Sequence, residues 1–250
     1  MKPRAALAAV FASMALGCGA ADVTVLSGGA VKAAFNEAAE AWQGATGHKV
    51  IVEFAPAGDI RRRVAAGERP DILIVPSENL EALAREGVID VATRRDLAVV
   101  SIGLAVRKGA PVPDISTPEK LRQVLMDAKS LTYMDPARGT TGKHIDETVL
   151  PKLGIRDAVR SKTTLGEGGF IAEKVARGEI ELAMQSMTEL TPVSGVTIVG
   201  PLPDELQKNT VYSAVATRDA RSPKPAQELL EYLASAPARK AFVERGYRVP

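Results

Sequence analysis

Residues 129–145, KSLTYMDPARGTTGKHI, decide the fold. A short apolar strand, Leu131 to Met134, runs through Asp135-Pro136 into a Gly-Thr-Thr-Gly turn that opens a helix. A strand that feeds a glycine turn and a helix start is the repeating unit of an α/β sheet, and it also makes an anion site. Amides at a helix N-terminus lack partners inside the helix, and with the helix dipole they favour a negative group by about 0.3 to 1 kcal/mol each. Arg138, Thr140 and Thr141 sit in this turn and could add donors. A nucleotide P-loop is the rival reading of Gly142-Lys143. Its first glycine is replaced by Ala137 and its magnesium-binding hydroxyl by His144, which removes the mechanics of that motif.

Outward from this stretch, the same unit recurs. Val23 to Leu26 reads as a strand, Ser27-Gly28-Gly29 as a turn, and Val31 to Trp42 as a helix with Phe35, Ala38 and Trp42 on one face. Lys49 to Phe54 is a strand, Ala55 to Gly58 a turn, and Asp59 an N-cap for the helix that follows. Asp71 to Val75 leads into a helix from Glu78 to Glu86. Leu97 to Val106 reads as one long apolar strand leading to Pro111, Pro113 and Pro118. Beyond it come a Gly166-Glu167-Gly168-Gly169 turn before a helix Phe170 to Arg177, a strand Glu181 to Gln185, and a returning strand Thr210 to Ala216.

Such alternation predicts an α/β protein of two Rossmann-like lobes joined by two crossing strands. Lobe 1 is expected over 22–107 and 209–250, lobe 2 over 108–208. Ligands of open α/β sheets sit beyond the carboxyl ends of the strands. Four turns therefore converge on one cleft and supply the candidate ligand-binding residues: Ser27, Gly28 and Gly29; Gly58; Arg138, Thr140 and Thr141; Gly168 and Gly169. Gln185 and Ser186 join them because polar residues at the end of an apolar strand line a cleft. Arg138 is either a bidentate clamp for a carboxylate or a solvated loop arginine.

Residues 1–21 read as an export signal: Lys2 and Arg4, an apolar run Ala5 to Leu16, then small residues ending at Ala21. Cys18, the one cysteine, lies inside it; Leu16-Gly17-Cys18 also resembles the end of a lipoprotein box. Without Lys2 and Arg4 the formal charge falls from +2 to zero, which offers no field for nucleic acid or an anionic membrane. A monomer acting on a small anion in the periplasm is expected, with no cofactor and no metal.

From Val23 to the C-terminus the chain resembles the type II periplasmic solute-binding proteins. The resemblance is to the branch related to the molybdate-binding component of ABC transporters, whose relatives include a periplasmic aconitate isomerase. The carrying segments are VTVLSGGAVKAAFNEAAEAW, FAPAGDIRRRVAAGERPDILIVP, YMDPARGTTGKH, VARGEIELAMQS and LLEYLASAPARKAFVERGY. The resemblance implies a binding protein that closes two lobes on an anion and presents it to an ABC importer. The pocket departs from the molybdate pattern. Ala30 stands where the first-turn serine is expected, Pro56-Ala57-Gly58 replaces a serine run, and Ser186 replaces a tyrosine. Each lost hydroxyl removes about 1 kcal/mol of hydrogen bonding to a charged guest, so a di- or tricarboxylate fits the altered pocket better than an oxyanion. The alternative is an isomerase that moves a proton of aconitate, with Glu167 or His144 as its base.

Overall fold

The computed structural model describes residues 19–250; most of the expected export segment, with Cys18, lies outside them. Two five-stranded mixed sheets form the protein, in the orders β2-β1-β3-β10-β4 and β7-β6-β8-β5-β9. The strands are β1 (Asp22–Gly28), β2 (Lys49–Ala55), β3 (Ile72–Pro76), β4 (Arg95–Val100), β5 (Ile102–Arg107), β6 (Leu131–Met134), β7 (Thr163–Gly166), β8 (Leu182–Ser186), β9 (Val196–Pro201) and β10 (Thr210–Ala216). The α-helices are α1 (Lys32–Thr46), α2 (Ala57–Ala65), α3 (Leu80–Arg85), α4 (Pro118–Asp127), α5 (Thr140–His144), α6 (Leu150–Lys152), α7 (Arg156–Arg160), α8 (Glu173–Ala176), α9 (Met187–Leu190), α10 (Pro223–Leu233) and α11 (Ala236–Glu244).

In the first sheet β1 runs parallel to β2 and β3, and β10 lies antiparallel between β3 and β4. In the second, β6 runs parallel to β7 and β8, and β5 lies antiparallel between β8 and β9. The two lobes thus share a plan: the strand that enters from the other lobe sits fourth, and the strand that leaves sits at the edge. The expected single strand Leu97 to Val106 is two strands. Val100 pairs with Thr210 in the first sheet and Ile102 with Ser186 in the second, so the chain crosses at Ser101, before the expected border at 107. A run of apolar residues records burial and not which sheet buries it, so the break was invisible in hydropathy alone.

Helices cover both faces of each sheet. Phe35 and Trp42 of α1, Leu229 of α10 and Phe242 of α11 pack on Val23 and Val25, while Ile60, Val64 and Leu83 of α2 and α3 pack on Leu26. Alternate residues of β1 feed opposite faces, as the period of a strand requires. In the second lobe Leu121, Leu125 and Val159 cover one face and Val175 and Leu190 the other. The helix that opens at Thr140 passes through a π turn, Ile145–Val149, before α6. Pro151 accounts for that turn, because it offers no N–H and its ring crowds the preceding carbonyls.

Three local expectations change. Asp59 does not cap α2: Pro56 caps it, with φ fixed near the polyproline value at −58°, and Asp59 lies in the first turn. The helix after the Gly166–Gly169 turn shrinks to Glu173–Ala176. Instead of lying in a surface turn, His48 is buried, stacked on Trp42 with ring centroids 5.3 Å apart, and its Nδ1 accepts the Ala21 amide at 3.1 Å. Among the described residues no helix is long and apolar enough to cross a membrane.

Candidate functional site

The carboxyl ends of β1, β2, β6 and β8 meet between the lobes around a cavity of about 30 Å³. Its walls are Gly28 to Ala30 and Ala55 to Ala57 from one lobe, and Met134, Gly139 to Thr141, Gln185 and Glu189 from the other, with Tyr212 of β10 behind. The lobes are closed on it. Arg138 holds Asp59 through Nε and Nη2 at 3.1 and 2.8 Å, the Gly58 amide donates to Arg138 O at 2.7 Å, and Thr188 Oγ1 donates to Ala30 O at 2.7 Å. At the rim, Lys32 Nζ lies 5.5 Å from the ring of Phe54 and 5.6 Å from that of Phe170, one ring from each lobe.

Glycines make this closure possible by their lack of a side chain. A Cβ on Gly28 would come within 2.6 Å of the Tyr212 ring, and one on Gly29 within 3.0 Å of Glu189 Oε1. A Cβ on Gly58 would meet Ala137 O at 2.6 Å and Arg138 O at 2.8 Å, both backbone atoms that cannot swing away. Gly139 and Gly142 pack against Met134 with no room for a methyl group. The Gly-Thr-Thr-Gly turn is therefore set by contact with its own strand as well as by the helix start.

The structure brings together Gly28, Gly29, Thr140, Thr141 and Gln185 on the cavity wall. Thr141 Oγ1 lies 3.3 Å from Ser186 Oγ, which is buried at the edge of the same cluster. Gln185 Nε2 donates to Gly169 O at 2.8 Å, leaving its buried Oε1 without a partner. The backbone carbonyl of Gly169 thus orients the glutamine, and Gly168 abuts Pro56 across the seam. Other candidates are placed elsewhere. Ser27 is fully buried and its hydroxyl donates to Gly28 O at 3.1 Å, so it supports the turn from behind. Gly58 and Arg138 spend their donors on lobe closure, and Arg138 clamps a carboxylate of the protein itself.

Neither carboxylate nor imidazole proposed for base work faces the cavity. Glu167 has 91% of its side chain exposed and lies 3.9 Å from Arg138 Nη1, outside the seam. The two flanking glycines bring its backbone close to the other lobe and leave its side chain in water. His144 Nε2 donates to Leu206 O at 2.8 Å, which ties α5 to the second crossing and directs the ring away from the cavity. It borders a groove of about 880 Å³ that residues of both lobes line, Gly58 and Arg61 on one side and Arg138 and Lys143 on the other. That groove is open, and its charges are largely spent: Arg61 pairs with Glu86, Lys208 with Glu78 and Arg156 with Asp146.

Two carboxyls on the seam have opposite electrostatics. The hydrogen bonds from Arg138, reinforced by its charge and by Arg62, hold the Asp59 carboxyl below its ordinary range. Glu189 is a group the sequence reading missed. Burial pushes its carboxyl up to about 7, and hydrogen bonds from Ser186 and Gln185 only partly offset this. Among the described residues Glu189 forms no ion pair, and no lysine or arginine lies between Arg177 and Lys208 in the chain. That gap, together with its place in the first turn after a buried strand, was the signal available in the sequence. Burial, joined by the charge of Glu189, also pushes the Tyr212 phenol far up.

Over residues 23–248 the chain matches the family of bacterial extracellular solute-binding proteins. It belongs to that family. It is 35% identical over 231 residues to the aconitate isomerase of a Pseudomonas species, covering 90% of this chain and 87% of that protein. To the molybdate-binding protein ModA of Azotobacter vinelandii it is 28% identical over 238 residues, covering 91% and 90%. The solved periplasmic molybdate-binding protein of the same organism superposes with a TM-score of 0.76 at 17% identity, over 91% of this chain and 99% of that one. This solute-binding protein therefore has the two-lobed fold of the molybdate-binding type. Among its described residues no group of three histidine, cysteine, aspartate or glutamate side chains gathers as a metal site.

Proposed function

We propose that this protein captures an unsaturated tricarboxylate of the aconitate type between its lobes in the periplasm and interconverts the cis and trans isomers by moving one proton. The observation that carries the reading is the Glu189 carboxyl on the wall of the cleft between the lobes, beside the Gly29 turn and, among the described residues, in no ion pair, where burial pushes it up to about 7. A receptor that only holds a permanent anion gains nothing from such a group, whereas a proton-transfer site is most effective with an acid matched to the working pH. The polar wall supports a carboxylate guest: the Thr140 and Thr141 hydroxyls come from one lobe and the Gly28 to Ala30 backbone from the other. Ala30 and Ala57 bring no hydroxyl to positions where a tetrahedral oxyanion needs one. Similarity to a Pseudomonas aconitate isomerase across most of both chains points the same way.

A six-carbon acid does not fit about 30 Å³, so the guest enters an opened form, and its bridging contacts favour partial closure around it. Incubating the purified protein with trans-aconitate and following the cis isomer by proton NMR tests the reading, and turnover is expected. The second reading is a carrier that delivers the same anion to an ABC importer, and the bridged, hinged seam favours it. Calorimetric titration with both aconitates, citrate, molybdate and sulfate separates the two: tight binding of a tricarboxylate without conversion would leave the carrier, and tight molybdate binding alone would remove both tricarboxylate readings.

A further inference from the structure

Resting on the isomerase reading, we propose that Glu189 is the catalytic acid and base, and that it returns to one carbon of the bound tricarboxylate the proton it has removed from another. The geometry points to a single group. Of the cavity-lining residues only Glu189 and Tyr212 can ionise at all. Tyr212 is packed against Gly28 and its phenol stays protonated far above neutrality, so it takes no proton. Glu189 instead faces the Gly28-Gly29 turn, where the missing side chain leaves its Oε1 in reach of whatever occupies the turn.

The chemistry balances with no further reactant. The substrate carries a CH2 next to one carboxylate and a C=CH next to another, joined through the central carbon. Ionised Glu189 takes a proton from the CH2, and the electron pair left behind spreads over the three carbons and their carboxylates. The Glu189 carboxyl then gives the same proton to the former vinyl carbon, and the double bond moves by one position. No atom is gained or lost, and nothing is oxidised or reduced. The new double bond is cis or trans according to how the former single bond was turned, so no rotation about a double bond is needed. Once the lobes close around the guest, the guest itself fills the space beside the carboxyl, so exchange of its proton with solvent is slow compared with its return. Polar groups of Gln185 and Ser186 beside Glu189 favour the ionised form that starts the cycle.

The test compares wild type, Glu189→Gln and Glu189→Asp on trans-aconitate, with binding followed by calorimetry and folding by thermal melting. Wild-type turnover is expected, with Glu189→Gln slower by at least about a thousandfold while it melts cooperatively and binds the tricarboxylate. Glu189→Asp keeps the carboxyl and is expected to retain measurable turnover, which guards against misreading a damaged fold. In deuterium oxide the first turnovers of wild type are expected to place well under one deuterium in each product molecule. Glu189→Gln with a rate within tenfold of wild type, or a full deuterium in every first-turnover product, would overturn the inference and leave the isomerase reading standing. A wild-type protein that binds aconitate and never converts it would end both.

Discussion

Asp59 and Glu189 sit on the same seam and have opposite fates. Asp59 meets the Arg138 guanidinium from the other lobe, is 16% exposed, and is held charged. Glu189 meets a glycine turn, a tyrosine ring and neutral polar groups, and its carboxyl drifts to about 7. One carboxyl closes the lobes, and the other is the group to which the proposed proton transfer falls. Pairs of acids driven apart by their surroundings are how one protein divides structural from chemical work.

The largest test of that division is steric. Gly58→Ala puts a methyl group against two backbone oxygens of the partner lobe, so closure should fail while each lobe stays folded. Affinity for the bound anion is expected to fall by about a hundredfold or more, equal to about 2.7 kcal/mol, with small-angle scattering showing an open form even with ligand. A variant that closes normally would show the seam to be pliable and the comparison moot.

The second test is pH. Because the folded-state value of Glu189, about 7, is raised above the ordinary value near 4.3, the folded protein holds this proton where the unfolded chain has lost it. Its contribution to stability is complete below about pH 4.3 and is lost as pH rises through 7. Wild type should therefore lose on the order of 2 to 3 kcal/mol over that window relative to Glu189→Gln. Urea unfolding at pH 5 and pH 8 measures this, and parallel curves for the two proteins would place Glu189 in water.

Smaller effects are expected at the latch and the rim. Asp59 has the opposite sign: its folded-state value is lowered, so the Arg138 pair is intact at neutral pH and is lost as acid carries the carboxyl below its ordinary range. Arg138→Met should weaken ligand binding several-fold at pH 7 and abolish the extra loss of affinity on acidification below about pH 4; unchanged affinity would show that Gly58 and Thr188 close the seam unaided. Lys32→Met removes the cation between Phe54 and Phe170 and is expected to cost about 0.5 to 1 kcal/mol of binding, read by calorimetry.

Much of the fold was legible because the repeating strand, turn and helix is a local pattern. The β1, β2, β6 and β10 strands read from it lie where expected to within a residue or two. The turns at Gly28-Gly29 and Thr140-Thr141 also reach the cleft as their place beyond parallel strands implies. The direction of individual side chains was not legible. Ser27 and Gly28 are neighbours, yet one supports the turn from behind and the other lines the cavity. Glu167, framed by glycines, looked poised for chemistry and points to water, whereas Glu189, in an unremarked helical turn, faces the cavity.

By itself, then, the sequence determined the alternation of elements, the two-lobed α/β class and the set of turns that meet at the cleft, because hydrophobic period and glycine placement act within a few residues of one another. Only the tertiary structure decided that the chain crosses at Ser101, that Arg138 answers Asp59, and that Glu189 forms no ion pair among the described residues. Those outcomes depend on which distant groups become neighbours, and a carboxyl takes its protonation state from those neighbours and from the water they exclude.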